Sequence, residues 1–104
     1  MQCNSAPGGF IFNGNVTFDN GFGSGGTQIK AALTGEGSMT FNANLTTGAL
    51  AFTEPGVEPK FLFDKSGTQS WTFNSTTFFI VPQSLIVGVS NTPVVNIIGI
   101  GSNI

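Results

Sequence analysis

From Ser38 to Leu45 polar and apolar residues alternate without a break (Ser-Met-Thr-Phe-Asn-Ala-Asn-Leu). Side chains of an extended chain point to opposite faces in turn, so this run predicts a strand with one face buried. Upstream, residues 28–33 place Ile29, Ala31 and Leu33 on one face, and Thr34-Gly35-Glu36-Gly37 predicts a hairpin turn between the two runs. Phe10, Phe12, Val16 and Phe18 share one parity, which predicts one or two opening strands with a kink at Gly14. A glycine-rich loop follows, from Asn20-Gly21 to Gly26.

Thr47-Gly48 turns the chain into residues 49–53, where Leu50 and Phe52 face one way. Glu54-Pro55-Gly56-Val57-Glu58-Pro59 predicts a loop, because prolines cannot donate to a ladder. Phe61 and Phe63 mark a short strand, and Lys65-Ser66-Gly67 turns it into residues 69–74, with Trp71 and Phe73 inward. Residues 77–81, 85–90 and 94–100 complete the series, separated by Pro82-Gln83 and Asn91-Thr92-Pro93. About 8–9 short strands at this spacing, with no sustained 3.6-residue period, predict an all-β chain built as a single jelly-roll-like β-sandwich. Its expected core is Phe18, Met39, Phe41, Leu45, Leu50, Phe52, Phe61, Phe63, Trp71 and Phe73. Residues 1–13 are expected to form an extended N-terminal arm, and residues 14–104 the sandwich.

The last three runs read as near-continuous apolar stretches, the pattern of strands covered on both faces. The outer face of a two-layer sandwich should be polar, so either a loop covers the second face or copies of the chain cover one another. Charge sharpens the choice. All eight charged residues lie between Asp19 and Lys65, which leaves the first 18 and the last 39 positions uncharged. Charged residues make up 8% of the chain, against about 25% in typical soluble domains. A domain of this size exposes much of its surface, and every large apolar side chain left wet forgoes roughly 1.5–3 kcal/mol of burial. Burial between copies is therefore expected, with Phe79, Leu85, Val87, Val95 and Ile97, or their opposite-parity neighbours, at the contact.

The same composition excludes several functions. Three Lys, no Arg and no basic run exclude ordinary binding along a phosphate backbone. The apolar C-terminal stretch is interrupted by Pro82, Gly88, Asn91, Pro93 and Asn96 within the ~20 residues a membrane helix needs. Met1-Gln2-Cys3-Asn4 lacks the basic start and apolar run of a signal peptide. Cys3 is the single cysteine, so an intrachain disulfide is impossible and a bond to another chain is the one disulfide open to it.

Catalytic equipment is scarce: the chain has no His, Tyr or Arg, and no base to activate Cys3. Glu54 and Glu58 share a loop and could form an acid–base pair of the kind used on sugars, but loop carboxylates usually serve solubility. Scattered acidic residues make no metal set, so neither metal nor cofactor is expected, and the chain reads as a non-enzyme. Gly21-Phe22-Gly23-Ser24-Gly25-Gly26 spells GxGxxG, yet a strand follows it where a phosphate site needs a helix N-terminus. Sequons at Asn15, Asn44 and Asn74 are about as many as this Asn-, Ser- and Thr-rich composition yields by chance. Trp71 keeps the buried parity of its strand and reads as a core anchor, not as a sugar-stacking platform. Lys30, Lys60 and Lys65 could each meet a carboxylate in an isopeptide crosslink, but the ingredients are too common to be a signal.

Met1-Gln2-Cys3-Asn4-Ser5-Ala6-Pro7-Gly8-Gly9 shows no core-facing pattern, and Phe10, Ile11 and Phe12 behind it want cover on both faces. With the later run Ser66-Gly67-Thr68-Gln69-Ser70-Trp71-Thr72-Phe73 leading to Phe79-Ile80-Val81, this layout resembles the subunits of bacterial endospore appendages. The resemblance implies a small jelly-roll body and an N-terminal arm that reaches into a neighbouring subunit. It makes Cys3, Phe10, Ile11 and Phe12 the assembly arm, although without a second cysteine Cys3 cannot bond to the body of an identical neighbour. The expected function is a structural, self-assembling subunit of an extracellular or spore-surface filament. Its partners would be copies of itself, with an anchoring or tip protein at an end. A small viral coat or decoration protein and a lectin-like, carbohydrate-binding adhesin module are the alternatives.

Overall fold

The computed structural model describes residues 2–3, 9–18, 27–31, 37–48, 51–54, 56–73, 82 and 84–99. Among them are eleven strands and no helix, so the all-β expectation holds. Nor is any described helix long and apolar enough to cross a membrane. The strands are β1 (Gln2–Cys3), β2 (Phe10–Phe12), β3 (Val16–Phe18), β4 (Thr27–Ala31), β5 (Ser38–Phe41) and β6 (Leu45–Thr47). They continue as β7 (Ala51–Thr53), β8 (Lys60–Phe63), β9 (Thr68–Phe73), β10 (Leu85–Val87) and β11 (Val94–Gly99).

Every described ladder is parallel. Three sheets run in the orders β1-β4-β7, β2-β5-β8-β10 and β3-β6-β9-β11. The chain therefore visits the same three rows in the same order on each pass, and each pass stacks on the one before. This is the winding of a parallel β-helix. Coil one holds β1 to β3, coil two β4 to β6, coil three β7 to β9, and coil four contributes β10 and β11.

Parallel neighbours are not what a jelly roll requires, and the hairpin expected between residues 28–33 and 38–45 is absent from the described pairings. β4 pairs with β1 and β7, while β5 pairs with β2 and β8. The reason lies in what alternation specifies. It selects which side chains face inward, and it is silent on the direction of the neighbouring strand. The unbroken run from Ser38 to Leu45 is in fact two strands that meet at a corner over residues 42–44. Met39, Phe41, Leu45 and Thr47 are buried on both sides of that corner, so parity survives the change of direction. Residues 13–15 make the equivalent corner between β2 and β3, at the position of the expected Gly14 kink.

The interior is a set of columns, with one residue contributed per coil. Phe10, Met39, Phe61 and Leu85 stand in register, as do Phe12, Phe41, Phe63 and Val87. On the other wall Val16, Leu45, Trp71 and Ile97 form a column. Phe12 stacks on Phe41 at 5.5 Å between ring centroids and Phe41 on Phe63 at 5.3 Å, while Trp71 lies against Phe61, Phe63 and Phe73. Of the expected core, Phe18, Met39, Phe41, Leu45, Phe61, Phe63, Trp71 and Phe73 are buried, and Ile29 joins them. Leu50 and the side chain of Phe52 lie outside the described residues.

The segment expected to leave as an arm takes part in its own chain's stack here. β1 pairs with β4 (Cys3 opposite Ala31), and β2 pairs with β5. Phe10 and Phe12 pack half-buried against the core, and Ile11, of opposite parity, is 58% exposed. Gly9, with φ at 51°, ends the approach to β2 so close to the Ser38 carbonyl that a Cβ could not fit there.

Candidate functional site

Three polar side chains lock coil to coil. Gln69 is buried; its Nε2 donates to the carbonyls of Phe41 (3.1 Å) and Ala43 (2.7 Å), and its Oε1 accepts from the Lys65 N–H. The buried Thr47 hydroxyl accepts from the Trp71 indole N–H at 3.3 Å. Asp64, at the end of β8, binds the chain as it leaves β10. Its Oδ1 accepts the N–H groups of Val89 (2.8 Å), Ser90 (3.0 Å) and Asn91 (2.9 Å), and Asn91 Nδ2 returns a bond to the Asp64 carbonyl. Gly88 makes the preceding turn at φ 86°, where a Cβ would lie 2.8 Å from the Asn91 carbonyl oxygen. The Val89 amide most of all, then that of Asn91, with a smaller pull from Ser90, hold the Asp64 carboxyl below its ordinary range against the opposing effect of burial.

The corners carry a second ladder, on the outside. Asn42 Nδ2 donates to Asn13 Oδ1, the Asn44 N–H donates to Asn15 Oδ1, and the Ser70 N–H donates to Asn44 Oδ1. The signal for it is present in the sequence as Phe12-Asn13-Gly14-Asn15 and Phe41-Asn42-Ala43-Asn44, 29 residues apart. This repeat, Asp64 and Gln69 are the features that the strand-by-strand reading passed over.

Coil four closes the stack on one side only. β10 pairs with β8 and β11 with β9, and no described strand pairs with their other edges. The residues expected at an assembly face meet here. Leu85 and Val87 stand over the fully buried Phe61 and Phe63, Val95 over Gln69, and Ile97 over Trp71. All four thus have inward parity. Yet Leu85 is 43%, Val87 50% and Ile97 44% exposed, and no described strand is stacked above them. Val95 is half-buried against the core. Ile86, Val94 and Ile98, on the outward parity, are exposed as well. Phe79 lies outside the described residues, as does the side chain of Cys3.

The other candidate chemistry does not converge. Glu54 pairs with Lys30 at 3.3 Å, both side chains being 37% exposed. Trp71 is buried in the core and offers no platform to a sugar. Among the described residues no group of three or more His, Cys, Asp or Glu side chains could hold a metal ion. Comparison with protein-family models, with curated proteins and with solved structures finds no match for the chain.

Proposed function

We propose that this chain is a structural, non-catalytic subunit that joins copies of itself into a filament, outside the cell or at a cell or spore surface. The observation that carries the proposal is the end of the coil stack at β10 and β11, where inward-facing Leu85, Val87 and Ile97 remain about half exposed beside two strand edges that are unpaired among the described residues. Each such side chain leaves roughly 1 kcal/mol of burial unrealised, and an unpaired strand edge is a template for another strand. Natural edge strands are commonly guarded by charge, often Lys, and residues 66–104 hold no charge at all. The neutral polarity of the rest, carried by Gly, Asn, Ser and Thr, suits a surface or extracellular fibre. The jelly-roll body implied by the resemblance to endospore appendage subunits needs antiparallel neighbours, so the reading stands on the coil stack and its open end.

Negative-stain imaging of the purified protein tests this directly. Fibres are the expected result; isolated particles of monomer size at every concentration would overturn the proposal and return the binding-module alternative.

A further inference from the structure

Granting that reading, we infer that the open end is covered by coil one of a second copy, seated head-to-tail in continuous parallel register. In this arrangement β2 of the second copy extends the sheet that ends in β10, and its β3 extends the sheet that ends in β11.

Four observations select this occupant. The two sheets run from coil one to coil four with all strands parallel. One end of such a sheet therefore continues the other in the same direction, whereas two identical ends meeting about a two-fold axis would have to pair antiparallel. The interior columns continue without a mismatch. Phe12 of the second copy falls over Val87 and its Val16 over Ile97, apolar on apolar, and both are only half-buried at the coil-one end. No charged residue occurs in β2, β3, β10 or β11, so the contact buries no ion. Finally, the side-chain ladder has a direction. Asn15 and Asn44 each accept an N–H from the coil after their own, and Asn96, in register above Ser70, sets the same amide at the top of the stack. The backbone N–H of Asn15 in a second copy is the group it would receive. A heterologous contact of this kind repeats without closing and makes a filament.

The register makes the test specific. Ile11, Thr40, Leu62 and Ile86 share one outward column, and Thr17, Thr46, Thr72 and Ile98 share another. Across a head-to-tail joint Ile86 would face Ile11 of the next copy at about 4.8 Å, inside the ~4.4–6.8 Å range of Cα separations that a disulfide spans. Within one chain the same two residues are three coils apart, roughly 14 Å, and cannot be bridged. In a Cys3→Ser background, the Ile11→Cys, Ile86→Cys double variant under mild oxidation is expected to yield a series of covalent multimers on a reducing-agent-free denaturing gel. A mixture of the two single variants is expected to stop at a dimer of one with the other. The Thr17→Cys, Ile98→Cys pair repeats the test on the second sheet and covers the case in which the first pair disturbs association.

Assembly with no multimers from either pair, or Ile86→Cys alone dimerising as well as the mixture, would overturn the head-to-tail joint and leave self-association standing. A Cys3→Ser parent that sediments as a monomer throughout would overturn both.

Discussion

Gln69 is a fully buried polar side chain that bonds two carbonyls and one N–H across two coils. Replacement by Leu keeps the volume and strands the Ala43 carbonyl and the Lys65 N–H, each worth about 1–3 kcal/mol when left buried without a partner, while the Phe41 carbonyl keeps the Asp64 N–H. Relaxation at the corner will recover part of this, so Gln69→Leu is expected to lose roughly 2–4 kcal/mol in urea unfolding. A loss below about 1 kcal/mol would mean that the bonds are dispensable. Asp64 has a different signature. An aspartate whose folded pKa lies below its ordinary value of 3.8 contributes stability that is complete above that value. The contribution disappears as pH falls through the depressed folded value. Between about pH 5 and pH 2 the urea midpoint of the native chain should therefore fall further than that of Asp64→Asn, in which no charge remains to be lost. Parallel curves for the two proteins would remove Asp64 as the anchor of coil four.

At the scale of strands and corners, the inward residues were legible and their partners were not. Period-2 alternation picks out Met39, Phe41, Phe61, Phe63, Trp71 and Phe73 because burial on one face leaves a local mark on each strand. Parallel stacking leaves a mark only at long range, as a repeat, and here the repeat is blurred. Phe10, Met39, Phe61 and Leu85 are successive members of one column, yet they are separated by 29, 22 and 24 residues. Loops of unequal length absorb the difference, and only coils one and two retain the Phe-Asn-x-Asn corner. The corner itself hides in the alternation: three residues at 42–44 turn the chain while Leu45 keeps the parity of Phe41. The open face was legible for a plainer reason. Runs of apolar residues on both parities over residues 85–98 cannot all be covered in a thin stack, and in coil four they are not.

For the whole molecule, the decisive property is that the described coils stack without closing on themselves. A closed barrel has no free edges, whereas a coil stack always presents two ends, and their side chains determine whether it remains alone. Here the C-terminal end is apolar, uncharged and in register with the interior columns below it. Ile97 is the most informative single position, because it stands over Trp71 and is still 44% exposed. A lysine there can extend its ammonium into water in the free chain, so the fold should survive. At a joint the same charge would be buried unpaired, at a cost of about 3–5 kcal/mol. Sedimentation velocity over a concentration series, run on the native chain and on Ile97→Lys, tests this most directly. The account predicts sedimentation coefficients that rise with concentration for the native chain and a β-folded monomer throughout for Ile97→Lys; a native chain that stays monomeric, or a variant that associates equally well, would contradict it.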